Sequence, residues 1–367
     1  MAFFRRTVIG AILASLLLVA WSTLAPANTC DNTVLFPPPI PLGVSGGNLG
    51  DISASYCCSG TLGCLVADQN TGKQYILSNN HVLANTNLGQ PGDPISQPGL
   101  ADTECGHDTF HVVATLTTFI PLKFRSGNKV DAAIAEVMDG AVDSNGTISC
   151  IGALSSQVAK PKVGLAVQKS GRTSGLTQGT VAAVNVSLLV GYDVTCGLGL
   201  QVARFRKQIR IDGNFSSPGD SGSLIVTQEA CPRPVALLFA GGSNPPTTFA
   251  NTMKNVLAAF KGYELAVVGA CTGGALLTEA APGAGEAPEP EVSTGRMAYL
   301  ENLQAKYEDA IMAKKGVVGM GIGVAPDGSP RLEIYVKKKT PALLKRLPKT
   351  LNGEKVEVVE TGEVRAY

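Results

Sequence analysis

The sequence predicts a turn-rich, all-β protein with a small α+β unit at its C-terminal end, and three observations support this. Glycine supplies 42 of the 367 residues, a larger share than the usual figure of about 7%. Charged residues make up 16% of the chain, below the usual figure of about 25%. Between residues 50 and 270, short β-rich runs alternate with clusters of Gly, Asn, Asp and Pro, a pattern typical of barrels and sandwiches.

The first 27 residues are predicted to be a signal peptide. Arg5 and Arg6 form a positive start, Val8–Trp21 is apolar, and Ala25-Pro26-Ala27 is a small-x-small cleavage site. An uncleaved membrane anchor is the alternative, since the apolar stretch is barely long enough to span a bilayer. We expect cleavage, and therefore a secreted or periplasmic protein with no stable membrane insertion.

Nine cysteines follow this segment, and export into an oxidising compartment favours disulfides among them. Because nine is odd, at least one must be free or paired between chains. A metal site is the alternative at Cys57, Cys58 and Cys64, but no second pair or nearby His completes it, so we predict no metal. Spacing alone does not reveal the pairing. The cysteines are Cys30, Cys57, Cys58, Cys64, Cys105, Cys150, Cys196, Cys231 and Cys271.

Composition divides the rest of the chain into four parts. Residues 28–49 are Pro-rich, 50–271 carry the β-rich runs, 272–296 form a Pro- and Glu-rich linker, and 297–367 form the α+β unit. The sequence pattern of that unit predicts a helix, two strands, a short helix and a final strand. We expect the unit to fold independently. It either regulates the main domain, through a partner, a second copy or the cleft itself, or it serves passively in stability.

Three segments contain residue types that act together in nucleophilic catalysis. His81 ends an apolar strand, Asp131 opens another, and Ser221 lies in the tight turn Ser217-Pro-Gly-Asp-Ser-Gly222. A serine hydroxyl needs a base to take its proton, imidazole titrates near neutral pH, and a buried carboxylate orients the ring. Each signal is weak alone, but the ordered combination, divided between two β-rich blocks, predicts a His-Asp-Ser triad.

The turn around Ser221 also predicts an oxyanion-binding site. Gly219 and Gly222 permit a tight backbone bend, which can aim the amide N–H groups of Gly219 and Ser221 at a developing negative charge. Proton transfer and oxyanion binding of this kind use only protein groups and water, so no cofactor is predicted.

These segments resemble the chymotrypsin-like (trypsin-like) serine peptidases. Leu77-Ser-Asn-Asn-His81-Val is similar to the catalytic-His segment of bacterial HtrA-type peptidases, and Gly219-Asp-Ser221-Gly222 to the nucleophile motif of the whole class. Gln168–Thr177 and Leu237–Gly242 resemble bacterial exported peptidases and the plant narrow-leaf type trypsin-like proteins. The resemblance covers about residues 50–270.

The resemblance implies two six-stranded antiparallel β-barrels, about 50–150 and 155–271, with the cleft between them. It implies peptide-bond hydrolysis through an acyl-enzyme. It also places Phe215 at the base of the primary pocket and Gly241 and Gly242 along its wall. With no acid at the base, we expect no preference for Lys or Arg, and small or medium apolar side chains instead.

One departure from the family concerns Asp220, next to Ser221. In trypsin the equivalent Asp pairs with a freed Ile-Val N-terminus, and no Ile-Val-Gly-Gly start precedes the first β block here. Asp220 must therefore find another partner, or the site forms without that switch.

Two functions remain open from the sequence. The first is an active endopeptidase with polypeptide substrates, and the second is a non-catalytic peptide-binding or scaffolding protein on a peptidase fold. The formal net charge of +1 gives no bulk attraction toward nucleic acid, so no nucleic-acid partner is expected.

Overall fold

The computed structural model describes residues 30–124, 126–271 and 294–367. The predicted signal peptide, 1–27, lies outside the described residues, as does most of the predicted linker, 272–293. None of the helices within these three ranges is long and apolar enough to cross a membrane.

Strands dominate the described part of the chain. They are β1 (Val44–Asn48), β2 (Gly60–Leu62), β3 (Cys64–Asp68), β4 (Gln74–Ser78), β5 (Pro94–Gln97), β6 (His111–Phe119), β7 (Gly127–Asn128), β8 (Ala133–Val137), β9 (Ala166–Gly171), β10 (Gly175–Thr195), β11 (Leu198–Asp212), β12 (Leu224–Thr227), β13 (Pro234–Ser243), β14 (Pro246–Thr252), β15 (Leu265–Val267), β16 (Val317–Val324), β17 (Pro330–Val336), β18 (Thr350–Leu351), β19 (Glu354–Glu360) and β20 (Val364–Ala366). The helices are α1 (Asn80–Leu83), α2 (Met253–Ala259), α3 (Thr294–Met312) and α4 (Pro341–Leu344), with short 3₁₀ turns at Asn85–Asn87, Leu100–Asp102 and Glu104–Gly106.

The first half of the molecule is an antiparallel sheet in the order β15-β3-β4-β8-β6-β5-β1-β2. Its hairpins follow from local chemistry, as between β3 and β4. There Asp68 accepts hydrogen bonds from the Asn70 amide at 3.2 Å and the Thr71 hydroxyl at 2.8 Å, and Gly72 adopts a φ of +73°. Such an Asp-led turn ending in a left-handed glycine reverses the chain without strain. The sheet has eight strands where six were predicted, because the three-residue strands β2 and β15 extend its edges.

The second half is a closed barrel of six antiparallel strands. Pairing runs β10-β9-β12-β13-β14-β11, and β11 returns to pair with β10 along most of its length. The all-β class with two β halves is therefore confirmed, and this half has the six strands predicted. The strands β10 and β11 run on beyond the barrel as a long hairpin, which reaches toward the first half.

The C-terminal unit continues the second sheet. Strand β16 pairs with β10, and β17 and β19 follow it outward. Gly319 and Gly321 allow this approach, since a Cβ at Gly319 would lie 2.7 Å from the Ser187 carbonyl oxygen. Glycines thus alternate with larger residues along β16.

Buried contacts also join the C-terminal unit to the barrel. Arg210 of β11 contacts Glu333 of β17 at 2.7 Å, with both side chains almost fully buried, and its guanidinium lies 4.8 Å from the centre of the Tyr335 ring. One apolar cluster combines Phe205 and Phe249 of the barrel with Tyr335. The unit was expected to fold independently. The structure instead shows a shared sheet and a shared core, which the linker composition did not indicate.

Four disulfides lie within the described ranges. They are Cys30–Cys150, Cys57–Cys105, Cys58–Cys196 and Cys231–Cys271. Cys58–Cys196 ties the first half to the tip of the β10–β11 hairpin. Cys64 is the free thiol among the described cysteines, and burial raises its pKa to about 12, so it is an inert core residue. Four disulfides fit an oxidising compartment.

Candidate active site

The fold brings His81 and Asp131 into direct contact. His81 lies in α1, at the end of β4, and Asp131 stands two residues before β8, which pairs with β4. His81 Nδ1 lies 2.6 Å from Asp131 Oδ2, and the Asp131 side chain is fully buried. An imidazole held in this way has its Nε2 directed away from the carboxylate, toward the cleft.

A third group, Tyr192 of β10, completes the surroundings of Asp131. Its hydroxyl donates to Asp131 Oδ2 at 2.8 Å, while the Asn80 amide donates to Oδ1 at 2.7 Å. The Tyr192 ring packs edge-on against His81, with centroids 5.7 Å apart. Tyr192 could not be predicted from the sequence, because it lies 61 positions from Asp131 and only the long β10–β11 hairpin brings the two together.

The surroundings of His81 favour its charged form. Burial lowers its pKa, but the charge and hydrogen bond of Asp131 outweigh that effect, and the net pKa is raised. The Tyr367 backbone oxygen, 2.9 Å from Nε2, and the nearby Asp51 carboxylate add to the increase. Both ring nitrogens thus face an oxygen, and this arrangement suits an imidazolium.

Ser221 lies in the predicted tight turn, at the edge of the second half. Gly219 and Gly222 adopt φ values of +98° and +92°, and a Cβ at Gly222 would lie 2.2 Å from the Thr61 carbonyl oxygen. The first half fixes this turn, since the Thr61 amide donates to the Ser221 carbonyl oxygen at 2.8 Å. The Ser221 hydroxyl donates to the Phe239 carbonyl oxygen at 3.2 Å.

The amides of Gly219 and Ser221, which were predicted as oxyanion donors, lie in this turn. Across the three described ranges, no carbonyl or side-chain oxygen accepts a hydrogen bond from the amides of Gly219 or Ser221. Thr61 Oγ1 instead holds the Gly219 carbonyl oxygen at 3.1 Å, which fixes the peptide orientation. Both N–H groups remain available to a ligand oxygen.

Asp220 finds its partner in Lys169 of β9. Lys169 Nζ lies 3.3 Å from Asp220 Oδ2, and both side chains are fully buried. The amides of Thr173 and Ser217 each donate to Asp220 at 2.9 Å, and the Ser174 hydroxyl also donates to it. Burial lowers the pKa of Lys169, although the Asp220 charge opposes that shift. An internal lysine is thus the charged partner of Asp220, which its strand position did not reveal.

The predicted pocket residues are only partly brought together. Phe215 is buried in an apolar cluster against which Tyr367 packs. A Cβ at Gly241 would lie 2.0 Å from Tyr367 Oη, so Gly241 contacts that ring closely. Gly242 faces elsewhere, since its Cβ would lie 2.1 Å from the Thr361 carbonyl oxygen. The Tyr367 ring of the chain itself thus lies against Gly241 and the cluster that contains Phe215.

A cavity of about 290 Å³ is lined by His81, Gly219 and Tyr367. The Cys58–Cys196 disulfide, Asp51 and Arg172 are among its lining residues. Burial raises the pKa of Asp51 to about 7, although the charge of His81 acts against this. Asp51 therefore titrates near neutral pH beside the proposed base, and sequence analysis did not identify it.

Comparisons with known proteins found matches among solved structures but not among protein families or curated proteins. No protein-family model matches the chain, and no curated protein matches it. Among solved structures, a glutamic acid-specific serine protease is 20% identical with a TM-score of 0.42, over 62% of this chain and 100% of that one. Thermobifida fusca protease A is 16% identical, with a TM-score of 0.39, over 63% and 98%. A Cellulomonas bogoriensis chymotrypsin is 20% identical, with a TM-score of 0.36, over 63% and 98%.

Proposed function

We propose that this protein is a serine endopeptidase that hydrolyses peptide bonds through an acyl-enzyme. The observation that carries the proposal is His81, held by the buried Asp131 at 2.6 Å while its Nε2 lies 2.9 Å from the backbone oxygen of Tyr367. A base oriented by a carboxylate in this way can take the proton of a nucleophile, which peptide hydrolysis requires.

The proposed reaction begins with attack by Ser221 Oγ on the carbonyl carbon of the substrate. His81 Nε2 takes the hydroxyl proton, and the imidazolium is stabilised by Asp131. The same proton then passes to the leaving amine as the C–N bond breaks, which leaves an ester on Ser221. Water, deprotonated by His81, attacks that ester and releases the carboxylate product and the free hydroxyl.

The amides of Gly219 and Ser221 are assigned to the carbonyl oxygen as it becomes negative. Donors already fixed in the protein need no reorganisation during the reaction, and removing one such donor typically costs about 10²–10³ in kcat. Side chains, backbone amides and water thus supply every group the reaction uses, and no cofactor enters the proposal.

Tyr192 is proposed as a positioning residue. Its hydroxyl and the Asn80 amide are neutral donors on Asp131. They hold the carboxylate in place without neutralising its charge, so that charge remains available to His81.

Location and relatives are part of the same proposal. The apolar start of the sequence and four disulfides support a secreted or periplasmic protein. The similarity to HtrA-type and plant narrow-leaf type proteins rests on short sequence segments. Polypeptides are the proposed substrates, and a partner or second copy bound through the C-terminal unit stays a hypothesis.

A non-catalytic, peptide-binding role is the second candidate function. It is favoured by two contacts that engage the proposed catalytic groups with other partners. The Ser221 hydroxyl donates to the Phe239 carbonyl oxygen, and His81 Nε2 contacts the Tyr367 backbone oxygen.

Hydrolysis of a peptide thioester separates the two functions. The assay compares wild type with Ser221→Ala and His81→Ala, both in the full chain and in a chain that ends at Glu363, since residues 364–367 lie in the cleft. Either substitution should lower kcat by about 10⁴-fold or more while melting is unchanged. Hydrolysis at the wild-type rate by Ser221→Ala would exclude the proposed nucleophile. Peptide binding without turnover in every chain would favour the second function.

A further inference from the structure

Residues 364–367 lie in the cleft as an added strand. Strand β20 pairs antiparallel with β13, so that Ala240 faces Ala366, Gly241 faces Arg365 and Gly242 faces Val364. The Tyr367 amide donates to the Phe239 carbonyl oxygen at 3.3 Å. Strand addition of this kind is a common way to bind an extended peptide, with backbone pairing for affinity and pockets for side chains.

The backbone oxygen of Tyr367, at the end of this strand, contacts the proposed base His81. His81 Nε2 contacts the Tyr367 oxygen at 2.9 Å, and the same nitrogen is proposed to take the Ser221 proton. While that contact persists, Nε2 is engaged by the Tyr367 oxygen, which also helps to raise the pKa of His81. An external peptide cannot take the same place on β13 until the strand leaves.

The Tyr367 side chain of this strand also lies in surroundings that suit both its ring and its hydroxyl. The half-buried Tyr367 ring packs on the cluster that contains Phe215 and lies against Gly241. Its hydroxyl forms a hydrogen bond with Ser216, and burial raises its pKa. A phenol ring thus fits this pocket with its apolar body enclosed and its polar end paired.

A cation lies two residues before the aromatic ring. Arg365 Nη2 contacts Asp193 of the long hairpin at 2.8 Å, with both side chains partly exposed. Between them, Ala366 packs against the cluster of Tyr192 and Phe239. Arg365 also pairs in parallel with Gly191 of β10, so the strand is held from both sides.

We propose that residues 364–367 are an intramolecular, substrate-like occupant of the cleft, and that they report its preferred peptide: an aromatic residue in the primary pocket, a small residue before it and a cation before that. This rests on the proposed peptidase function for its catalytic consequence. Accordingly, the chain is held inactive by its own strand and acts on polypeptides that present the same pattern.

Anchoring makes the occupant an effective competitor. Thr361 and Val364 are buried, and the Thr361 amide donates to the Val336 carbonyl oxygen at 3.1 Å. A tethered segment has an effective concentration in the millimolar range. Peptides at micromolar concentration therefore compete poorly with it, and removal of the strand should activate the enzyme by at least about tenfold.

The test compares four proteins, each with the full N-terminal and catalytic regions: wild type, a chain ending at Glu363, Tyr367→Ala and Arg365→Glu. Matched controls are Tyr299→Ala and Arg346→Glu, exposed residues of the C-terminal unit outside the cleft. Each is assayed for kcat/KM on the chromogenic peptide acetyl-Val-Arg-Ala-Tyr-para-nitroanilide, and for the rate of Ser221 labelling by a fluorophosphonate.

We expect the shortened chain and Tyr367→Ala to exceed wild type by at least about tenfold in both assays, with the controls at wild-type values. In the shortened chain, peptides with Tyr or Phe before the anilide should be cleaved better than those with Ala or Lys. Replacing the Arg of the peptide by Glu should lower kcat/KM several-fold, and Asp193→Asn should reduce that difference.

Two results would overturn the inference. One is a folded shortened chain and a folded Tyr367→Ala variant that both match wild type in labelling and hydrolysis. The other is a peptide profile without aromatic preference. Failure of the peptidase proposal looks different, since Ser221 would then stay unlabelled in every chain. In that case fluorescent Val-Arg-Ala-Tyr peptide would still bind the shortened chain more tightly than wild type.

Discussion

Two aspartates are fully buried beside the cleft, Asp131 and Asp220, and they differ in their partners. Asp131 is held by His81, by the neutral Tyr192 hydroxyl and by the Asn80 amide. Asp220 is held by the cation Lys169 and by several donors of its own half. The difference teaches that one carboxylate is paired with the proposed base and with neutral donors, whereas the other is paired with a buried lysine and shapes the Ser221 turn.

Their places in the fold explain this division. The partners of Asp220 come from the second half, although the Thr61 amide of the first half also holds the Ser221 turn. Asp131 belongs to the first half, and its hydroxyl donor, Tyr192, comes from the second. The Asp131 cluster therefore forms only when the two halves are correctly docked.

The largest expected effect comes from Asp131→Asn. An amide in this position favours the wrong tautomer of His81 and cannot stabilise its charged form, so kcat should fall by about 10⁴-fold. Melting should change little, because the Asn80 amide keeps an oxygen acceptor and the Tyr192 hydroxyl can accept a hydrogen bond from the new side-chain amide. Steady-state hydrolysis in the chain ending at Glu363 provides the measurement. A decrease of less than tenfold would show that Asp131 does not support the base.

Asp220→Asn should act on stability instead. It leaves the buried Lys169 cation without its counter-ion, and breaking a buried pair in this way costs about 3–5 kcal/mol. Denaturant unfolding measures the loss, and the double variant Lys169→Met/Asp220→Asn should recover part of it. An unchanged unfolding midpoint in the single variant would mean that the pair is not needed for the fold.

The same variant should have a pH signature. Burial already lowers the pKa of Lys169, and loss of Asp220 removes the charge that opposes this shift. The folded variant then binds fewer protons than the unfolded chain, so its stability should rise with pH up to the lysine value of about 10.4 in the unfolded state. Unfolding midpoints between pH 6 and 9 that do not rise would contradict this explanation.

A smaller effect is expected from Tyr192→Phe. Loss of a hydrogen bond to a charged group costs about 1.5–3 kcal/mol at most, and we expect kcat/KM to fall by about tenfold. With one donor fewer on Asp131, the pKa of His81 should rise, so the acidic limb of the rate profile should move to higher pH. Tyr75→Phe is the matched control, since Tyr75 packs on Tyr263 in the first half. A merely structural role for Tyr192 would leave that limb unmoved.

The smallest expected effect belongs to Asp51→Asn. The pKa of His81 is raised by Asp131, by the Tyr367 oxygen and by Asp51, and burial opposes all three. Activity should be lost as pH falls through this raised pKa, which lies above the usual value of about 6.5. Removing the Asp51 charge should move the limb to lower pH by less than about one unit, whereas the exposed Asp139→Asn should not move it.

Much of the architecture could be predicted from local sequence. Turn residues and short β-rich runs indicated two β halves, and the order of His81, Asp131 and Ser221 indicated a site between them. The partners Tyr192 and Lys169 could not be predicted, because each depends on register in strands far away in sequence. The position of residues 364–367 could not be predicted for the same reason, because β20 is defined by its pairing with β13 and β10, which are far away in sequence.

The most direct test of the central claim is site-specific labelling of Ser221. The chain ending at Glu363 is treated with a fluorophosphonate, digested and analysed by mass spectrometry. Ser223, whose hydroxyl donates to the Asp220 carbonyl oxygen at 2.6 Å, serves as the internal control serine. The account predicts a phosphonyl group on Ser221 and none on Ser223, with labelling abolished by His81→Ala. A folded protein in which Ser221 stays unmodified, or is labelled equally well without His81, would contradict it.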